Sequence, residues 1–304
     1  DDDGDSPIEY PDHPSSEMDD QNHIGQLKER TRRRMRAENA REWMKFKINT
    51  QEPFGLVLFG DPHLDNPGTD FELLDRDVQL LKKTPNLWGV CLGDFADQWQ
   101  GALAAKKAPH QDVTQTQAWM LCDWFLNQKK YDGSSIWLLL IRGNHDMFSD
   151  KFGTGDPLKW ITQGPAPMED WRAKFVVEAA NGVQVPIHAS HDFPGNSLWH
   201  KLHGNIRKAR LTGHQAAIYI SGHRHCWELL ESEDPESGRV SFLARARGYK
   251  TLDDYAVQLG HERQERGASI TAIIDPNQKA NKRVRCFPDV EEAADYLNYK
   301  RSKQ

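Results

Sequence analysis

Apolar and polar positions along this chain come in blocks that predict strands and helices in turn. Short apolar runs end at Gly60, Leu92 and Ile141, and helical patterns separate them at about Phe71–Lys83 and Thr114–Lys129. Strands that alternate with helices are typical of βαβ units, whose crossovers are right-handed. This part of the chain therefore predicts parallel strands in one sheet.

Beyond Trp171 the pattern changes. The runs AKFVVEAA and VQVPIHAS flank Asn181-Gly182, which is a strong hairpin signal. A helix at about Ser197–Leu211, the strand AAIYISG, a second hairpin in WELLESEDPESGRVSFLARA, the strand SITAIID and a helix at about Glu291–Arg301 follow. We therefore expect an α/β (α+β) fold, a four-layer α-β-β-α sandwich of two mixed β-sheets flanked by helices.

The chain begins with an acidic segment. Residues 1–22 carry little that could be buried, and we expect them to form a disordered tail. The first twenty residues contain nine acidic side chains, which is more negative charge than the formal net charge of −6 of the 304-residue chain. The remainder of the chain is therefore close to neutral. Bulk charge thus permits nucleic-acid binding without arguing for it.

Residues 23–50 predict a basic helical arm, because Ile24–Lys47 is rich in helix formers and carries a dense run of Arg. The arm either binds nucleic acid or another partner, or is a solvated helix that packs through Leu27, Met35, Trp43 and Phe46; we favour the second interpretation. Residues 51–304 then form the main domain.

Neither cysteine spacing nor hydropathy indicates secretion or membrane insertion. The four cysteines form no CxxC pair, and no apolar run approaches eighteen residues. We expect a protein of a reducing, cytoplasmic compartment with no membrane partner.

The strongest signal is a repeated arrangement in which an apolar run ends at a turn and metal-seeking side chains follow. Because ligands bind at the carboxyl ends of strands in open α/β sheets, we expect five such groups to converge on one edge. They are Asp61 and His63, Asp94, Asn144 and His145, His191, and His223 and His225.

These side chains suit a pair of divalent cations. Mixed carboxylate and imidazole ligands favour first-row metals, and we expect Mn first, with Fe, Zn, Co or Ni as alternatives. Two such ions side by side clamp the attacking and leaving oxygens of a phosphoryl transfer. No cysteine is among the candidates, which argues against a structural zinc site.

The order of these motifs resembles that of the calcineurin-like metallophosphoesterase superfamily, over about residues 53–275. The matching pieces are Asp61-Pro62-His63, Gly93-Asp94, Gly143-Asn144-His145-Asp146, His191 and Gly222-His223-Arg224-His225. The segments HDFPGNS and ARGYKTLDDYAVQLG look like those of phage and prophage members. The resemblance implies a bacterial or phage-encoded hydrolase.

The resemblance also implies a role for each residue. Asp61, His63 and His225 would hold one ion, Asn144, His191 and His223 the second, and Asp94 would bridge both. A hydroxide between the ions would attack phosphorus. His145 corresponds to the family's catalytic histidine, as an imidazolium that stabilises charge or protonates the leaving group, and Asp146 would orient its ring or be an ordinary turn carboxylate.

Two histidines compete in the fourth motif. An offset of three residues places His188 and His191 on opposite faces of a strand, so at most one faces the metals. We choose His191, which lies at the strand's exit, and expect Asp192 to accept a hydrogen bond from a ligand imidazole. Asp97 and Trp99 are expected at the rim of the site.

The sequence does not identify the substrate. A phosphodiesterase acting on DNA or RNA comes first if the phage-like resemblance holds and the Arg-rich helix is a nucleic-acid arm. A phosphoesterase of nucleotides or other small molecules comes second. The alternative from another class is a non-catalytic module of the same fold that binds nucleic acid or protein.

Overall fold

The computed structural model describes residues 24–25, 27–32, 43–99, 104, 111–148, 157–197, 199–251 and 264–303. The chain divides into two compact units, residues 1–40 and 41–304. In the first unit, residues 24–25 and 27–32 are helical. The acidic tail predicted over residues 1–22, and residues 33–42 of the predicted arm, lie outside the described residues.

The second unit contains two six-stranded mixed sheets flanked by helices, as the sequence predicts. In chain order its elements are β1 (Met44–Ile48), β2 (Phe54–Phe59), α1 (Phe71–Lys83), β3 (Leu87–Cys91), α2 (Gln115–Leu126), β4 (Trp137–Arg142), α3 (Pro157–Ile161), β5 (Met168–Asp170), β6 (Arg172–Ala179), β7 (Gln184–Ser190), α4 (His203–Leu211), β8 (Ile218–Ser221), β9 (Glu228–Glu233), β10 (Val240–Arg245), β11 (Ser269–Ile274), a 3₁₀ turn (Ala280–Lys282), β12 (Val284–Phe287) and α5 (Val290–Ser302).

Sheet 1 has the strand order β12-β11-β2-β3-β4-β5, and sheet 2 has the order β1-β6-β7-β8-β10-β9. In sheet 1 the strands β2, β3, β4 and β5 run parallel, and in sheet 2 the strands β7, β8 and β10 do so. Both predicted hairpins form, as the antiparallel pairs β6–β7 and β9–β10. At the first of them Gly182 takes a φ of 81°, a conformation that glycine adopts without strain.

Three hydrophobic clusters correspond to three interfaces between four layers. The first lies between sheet 1 and the helices α1, α2 and α5, and includes Phe59 and Phe125. The second lies between the sheets, where Leu56 and Phe175 are fully buried. The third lies under α4 on the outer face of sheet 2, around Tyr219. The β2 strand is buried on both faces, which explains its unbroken apolar sequence.

One helix prediction is wrong. Met44–Ile48 forms an edge strand of sheet 2, parallel to β6, and so belongs to the main unit and not to a helical arm. Met44, Phe46 and Ile48 alternate with two lysines, and this period of two places the apolar side chains against the core. Trp43 and Phe46 therefore pack in the sandwich, whereas Leu27 of the helical segment is 45% exposed.

Among the described residues, no helix combines the length and the apolar character that crossing a membrane requires.

Candidate metal centre

The five groups of candidate ligands lie in loops that follow parallel strands. Asp61 and His63 follow β2, Asp94 follows β3 and Asn144 follows β4, all in sheet 1. His191 follows β7 and His223 follows β8, both in sheet 2. The two sheets therefore contribute to one site from either side of their shared core.

The first donor group consists of Asp61, His63 and His225, whose ligand atoms all lie within 4.8 Å of one another. Nδ1 of His63 lies 2.7 Å from Oδ1 of Asp97, and Nδ1 of His225 donates to the carbonyl oxygen of Arg247 at 3.2 Å. Nδ1 of His225 has a hydrogen-bond partner behind its ring and Nδ1 of His63 has an ion-pair contact there, so each Nε2 is the atom available to a metal.

The carboxylate of Asp61 is also held by a contact with the protein. Its Oδ2 accepts a hydrogen bond from the backbone N–H of His223 at 2.7 Å, whereas its buried Oδ1 has no hydrogen-bond partner among the described residues. Nε2 of His63 is likewise buried without one. Buried polar atoms are normally satisfied, so these two orphaned atoms fit a bound cation.

The second donor group consists of Asp94, His191 and His223, joined by Asn144. Nε2 of His191 lies 3.0 Å from Oδ1 of Asn144, 3.0 Å from Nδ1 of His223 and 3.2 Å from Oδ2 of Asp94. Ligands bound at about 2.1 Å to one ion in octahedral or tetrahedral geometry are about 3.0–3.4 Å apart. Nε2 of His191 therefore lies at the distances expected for neighbouring ligands of one ion from each of the other three donor atoms.

Asp94 lies between the two groups. Its Oδ2 is 3.2 Å from Nε2 of His191 and 3.9 Å from Nε2 of His63. Its Oδ1 accepts a hydrogen bond from the backbone N–H of His145 at 2.9 Å, which fixes the carboxylate plane. One carboxylate oxygen is thus within reach of both donor groups.

The electrostatics of the protein groups favour a cation here. Burial alone would lower the pKa of His191, but the carboxylates of Asp94 and Asp61 raise it to about 10. Burial would raise the pKa of Asp94, but the neighbouring imidazoles, first that of His191, lower it well below its usual value. Burial raises the pKa of Asp61 to about 6. Buried carboxylates that stabilise the protonated His191 ring this strongly would also attract a divalent cation.

The backbone is strained where the ligands attach. Positive φ angles are uncommon outside glycine and cluster at functional sites, where surrounding structure enforces them. Four candidate ligands have them: His63 at 43°, Asp94 at 54°, His223 at 67° and His225 at 46°.

Glycines let these loops approach the ligands closely. A Cβ atom added at Gly143 would overlap Oδ1 of Asp94, and one added at Gly222 would overlap Oδ1 of Asp61. The glycine that precedes Asn144 and the glycine that precedes His223 are therefore part of the site's construction.

His145 lies beside the donor groups without joining either. Its Nδ1 donates to the carbonyl oxygen of Asp97 at 2.5 Å, and its Nε2 lies 4.0 Å from Oδ2 of Asp94. Its ring packs against Trp99 and Phe148, with centroids 5.0 Å away in each case. Burial lowers the pKa of His145, so the protein groups alone favour the neutral ring over the expected imidazolium.

The expectation that Asp146 orients the His145 ring is wrong. Its Oδ2 accepts from the backbone N–H groups of Asp94 and Gly143, at 2.6 and 2.8 Å, and its Oδ1 accepts from that of Phe95 at 2.9 Å. Asp146 is fully buried and ties the loop after β4 to the loop after β3. It therefore positions Asp94 through the backbone.

Around the fourth motif, the choice of His191 over His188 agrees with the structure, whereas the expectation for Asp192 is wrong. His191 lies in the second donor group, whereas His188 is 1% exposed and packs between Phe193 and Tyr219 on the outer face of sheet 2. Asp192 accepts from Arg224 at 2.9 Å and lies 3.4 Å from Nη2 of Arg245. It therefore holds two guanidinium groups, and the expected bond to a ligand imidazole is replaced by the backbone carbonyl of Leu92, to which Nδ1 of His191 donates at 2.9 Å.

Neither the role of Asp97 nor the presence of Trp171 at the site is among the predictions from the sequence. Asp97, expected at the rim, is fully buried and holds His63. Trp171 has a φ of 66°, accepts a hydrogen bond from the backbone N–H of His191, and places its ring centroid 5.2 Å from that of His191. A histidine that binds a metal through one ring nitrogen needs an acceptor for the N–H of the other, and this requirement could have directed attention to Asp97. No sequence signal marks Trp171.

Neither a protein-family model nor a curated protein matches this chain.

Proposed function

We propose that this protein is a binuclear metal-dependent phosphoesterase of the calcineurin-like metallophosphoesterase superfamily, which hydrolyses phosphomonoesters or phosphodiesters. The observation that carries the proposal is the position of Asp94, whose Oδ2 lies within 4 Å of Nε2 atoms from both donor groups. A carboxylate in this position suits a pair of adjacent dications, because its negative charge offsets their repulsion.

The donor set supports first-row metals. Imidazole nitrogens and carboxylate or amide oxygens meet in both groups, which favours Mn, with Fe, Zn, Co and Ni as alternatives, over Mg or Ca. Two divalent cations bound there would polarise a phosphoryl group and lower the pKa of water.

The chain's own groups prepare the site for this chemistry. The carbonyl oxygens of Leu92 and Arg247 and the carboxylate of Asp97 fix three ligand imidazoles from behind, so that little reorganisation is needed. Burial of Asp61, His63, Asp94 and His191 to 1% exposure or less excludes bulk water and strengthens every charge interaction at the reacting phosphorus.

His145 is the residue placed to move a proton. Since its Nδ1 must keep a proton to donate to the Asp97 carbonyl, exchange with the substrate takes place at Nε2, which faces Asp94. Protonated at Nε2, the ring would transfer that proton to the leaving oxygen. A bound substrate phosphate would raise the pKa of the ring and so supply the charged form.

The proposal is tested by metal binding and turnover together. Chelator-treated protein would be titrated with Mn²⁺ and then assayed on bis-p-nitrophenyl phosphate and p-nitrophenyl phosphate. We expect two ions per chain and turnover of at least one ester. Asp94→Asn should lose turnover and weaken the binding of both ions, whereas Asp295→Asn, at an exposed position of α5, should behave as the parent protein.

Two results would count against this function. Binding of two ions without turnover of either ester would favour a non-catalytic metal-binding module on this fold. Turnover that persists in Asp94→Asn would place the reaction elsewhere. The ratio of the two turnover rates separates a diesterase from a monoesterase of small molecules.

A further inference from the structure

The outer face of sheet 2 carries a group of cationic side chains that the metal centre does not use. Arg172 and Lys174 alternate along β6 with Ala173 and Phe175. The side chains of Ala173 and Phe175 face the core between the sheets. Side chains two residues apart on a strand share a face. Arg172 and Lys174 therefore project to the side of sheet 2 that α4 covers.

Cations from two other elements join them. Lys45 and Lys47 of β1 alternate with the core residues Met44 and Phe46, so they project to the same outer side. Arg207 and Lys208 come from α4, which packs on this side of the sheet. We call these six side chains the basic face: Lys45, Lys47, Arg172, Lys174, Arg207 and Lys208.

The cations of the basic face lie close to one another. Glu178 of β6 pairs with Lys45 at 2.6 Å and is the acid of this strand on that side. The pKa of Lys208 is lowered first by burial and then by the charges of Lys174, Arg172 and Arg207, and burial together with three of these cations lowers the pKa of His188 to about 3. Three cations close enough to lower the pKa of Lys208 form a positively charged surface that favours an anionic partner.

The basic face begins next to the metal centre. Arg172 follows Trp171 directly, and the Trp171 ring lies 5.2 Å, centroid to centroid, from that of the candidate ligand His191. In the β6–β7 pair, Arg172 is opposite Ser190, which precedes His191. Further along, Nζ of Lys174 lies 5.8 Å from the ring centroid of Trp43. Cations and an aromatic ring thus extend away from the site along β6.

We propose that the basic face binds the sugar-phosphate backbone of a nucleic acid and directs one of its phosphodiester groups to the metal centre. This substrate class rests on the proposed phosphoesterase function, whereas binding to the basic face does not. An extended row of cations suits a polymer with a phosphate at every residue better than a single small phosphoester. An acidic protein could also be attracted by charge, but the row ends at a site built for phosphoester chemistry.

The test is the salt dependence of binding. Fluorescent single-stranded DNA, double-stranded DNA and RNA oligonucleotides would be titrated with the full chain over a series of KCl concentrations, without metal. Each lysine–phosphate contact contributes about 0.7–0.9 to the slope of log K against log salt. We expect Lys174→Ala/Lys208→Ala to bind more weakly and to reduce the slope by about 1.4–1.8.

A matched control carries the same change in charge. Lys279→Ala/Lys282→Ala alters two exposed lysines near the 3₁₀ turn and should retain the parent slope. Circular dichroism and the thermal midpoint show whether each variant is folded. If charge is responsible, the more conservative Lys174→Gln/Lys208→Gln should reduce the slope of log K against log salt by the same amount.

Three outcomes overturn the proposal. They are an unchanged slope in both lysine variants, an equal loss in the control, and competition by polyglutamate as effective as that by nucleic acid at equal charge. A failure of the phosphoesterase function would show separately, as absence of turnover of both bis-p-nitrophenyl phosphate and p-nitrophenyl phosphate by the parent protein. If both hold, metal-dependent cleavage of the oligonucleotides should fall in Lys174→Ala/Lys208→Ala.

Discussion

Oδ1 of Asp97 lies 2.7 Å from Nδ1 of His63, and both side chains are almost completely buried. The carboxylate also accepts hydrogen bonds from Asn66 and Trp99, so its own orientation is fixed. Burial would raise the pKa of Asp97, but the charge and the close contact of His63, the charge of Lys250 and the hydrogen bond from Asn66 together lower it. An ionised carboxylate therefore holds a candidate metal ligand from behind.

We expect Asp97→Asn to weaken metal binding by about 10–100-fold, which is the usual effect of removing such a carboxylate partner of a ligand imidazole. The measurement is a calorimetric Mn²⁺ titration of chelator-treated protein, with Asp295→Asn as the control. Unchanged affinity for both ions would show that the Asp97–His63 contact has no role in metal binding.

The glycine before His223 gives a second prediction. A Cβ at Gly222 would overlap Oδ1 of Asp61, the orphaned oxygen of the first donor group. Gly222→Ala should therefore lose affinity for one of two ions, while Gly164→Ala, where the added Cβ would meet nothing closer than 3.6 Å, should not. Ion stoichiometry by elemental analysis after gel filtration distinguishes the two variants. Two retained ions in Gly222→Ala would contradict the assigned donor role of Asp61.

The position of His145 predicts a dependence on the leaving group. A general acid matters most when the leaving oxygen is strongly basic, so His145→Asn should reduce kcat by about 10²–10⁴-fold for alkyl esters and by less for p-nitrophenyl esters. A series of aryl and alkyl phosphoesters measures this slope. The exposed residue His203 supplies the control His203→Asn. An equal decrease across the series would leave His145 without an acid role.

His188 predicts a pH dependence of stability. Its Nε2 is buried without a partner among the described residues, and burial with nearby cations lowers its pKa from 6.5 to about 3. A lowered pKa in the folded state means that the unfolded chain binds the proton more readily. The contribution to stability is present above pH 6.5 and is lost progressively as the pH falls toward 3.

We expect the free energy of unfolding of the parent protein to fall by about 2 kcal/mol more than that of His188→Leu between pH 7 and pH 5. Leu also removes an unsatisfied buried nitrogen, so the variant should be at least as stable at pH 5. Urea denaturation of chelator-treated proteins provides both values. A difference between parent and variant that does not change with pH would show that His188 titrates normally in the fold.

The sequence alone determined the layers of this protein, because burial leaves a local trace in every element. Apolar runs marked the strands of sheet 1, Asn181-Gly182 between two apolar runs marked the β6–β7 hairpin, and helical patterns marked α1, α2 and α5. The candidate ligands were found for the same reason, since each follows the end of a recognisable strand. Where two patterns overlapped, as in the basic segment before Ile48, the helix-forming composition concealed the period-two alternation of β1.

Only the tertiary structure decided which atoms meet. Four contacts join residues that follow different strands: the ion-pair contact of Asp97 with His63, the bonds of Asp146 to the backbone of Asp94 and Phe95, the Trp171 ring beside His191, and the approach of Asp94 to both donor groups. Their distances depend on loop conformations with positive φ and on the packing of one sheet against the other. A linear pattern contains the ligand types, but coordination, proton positions and the shared face of β1, β6 and α4 arise from contacts between residues far apart in the chain.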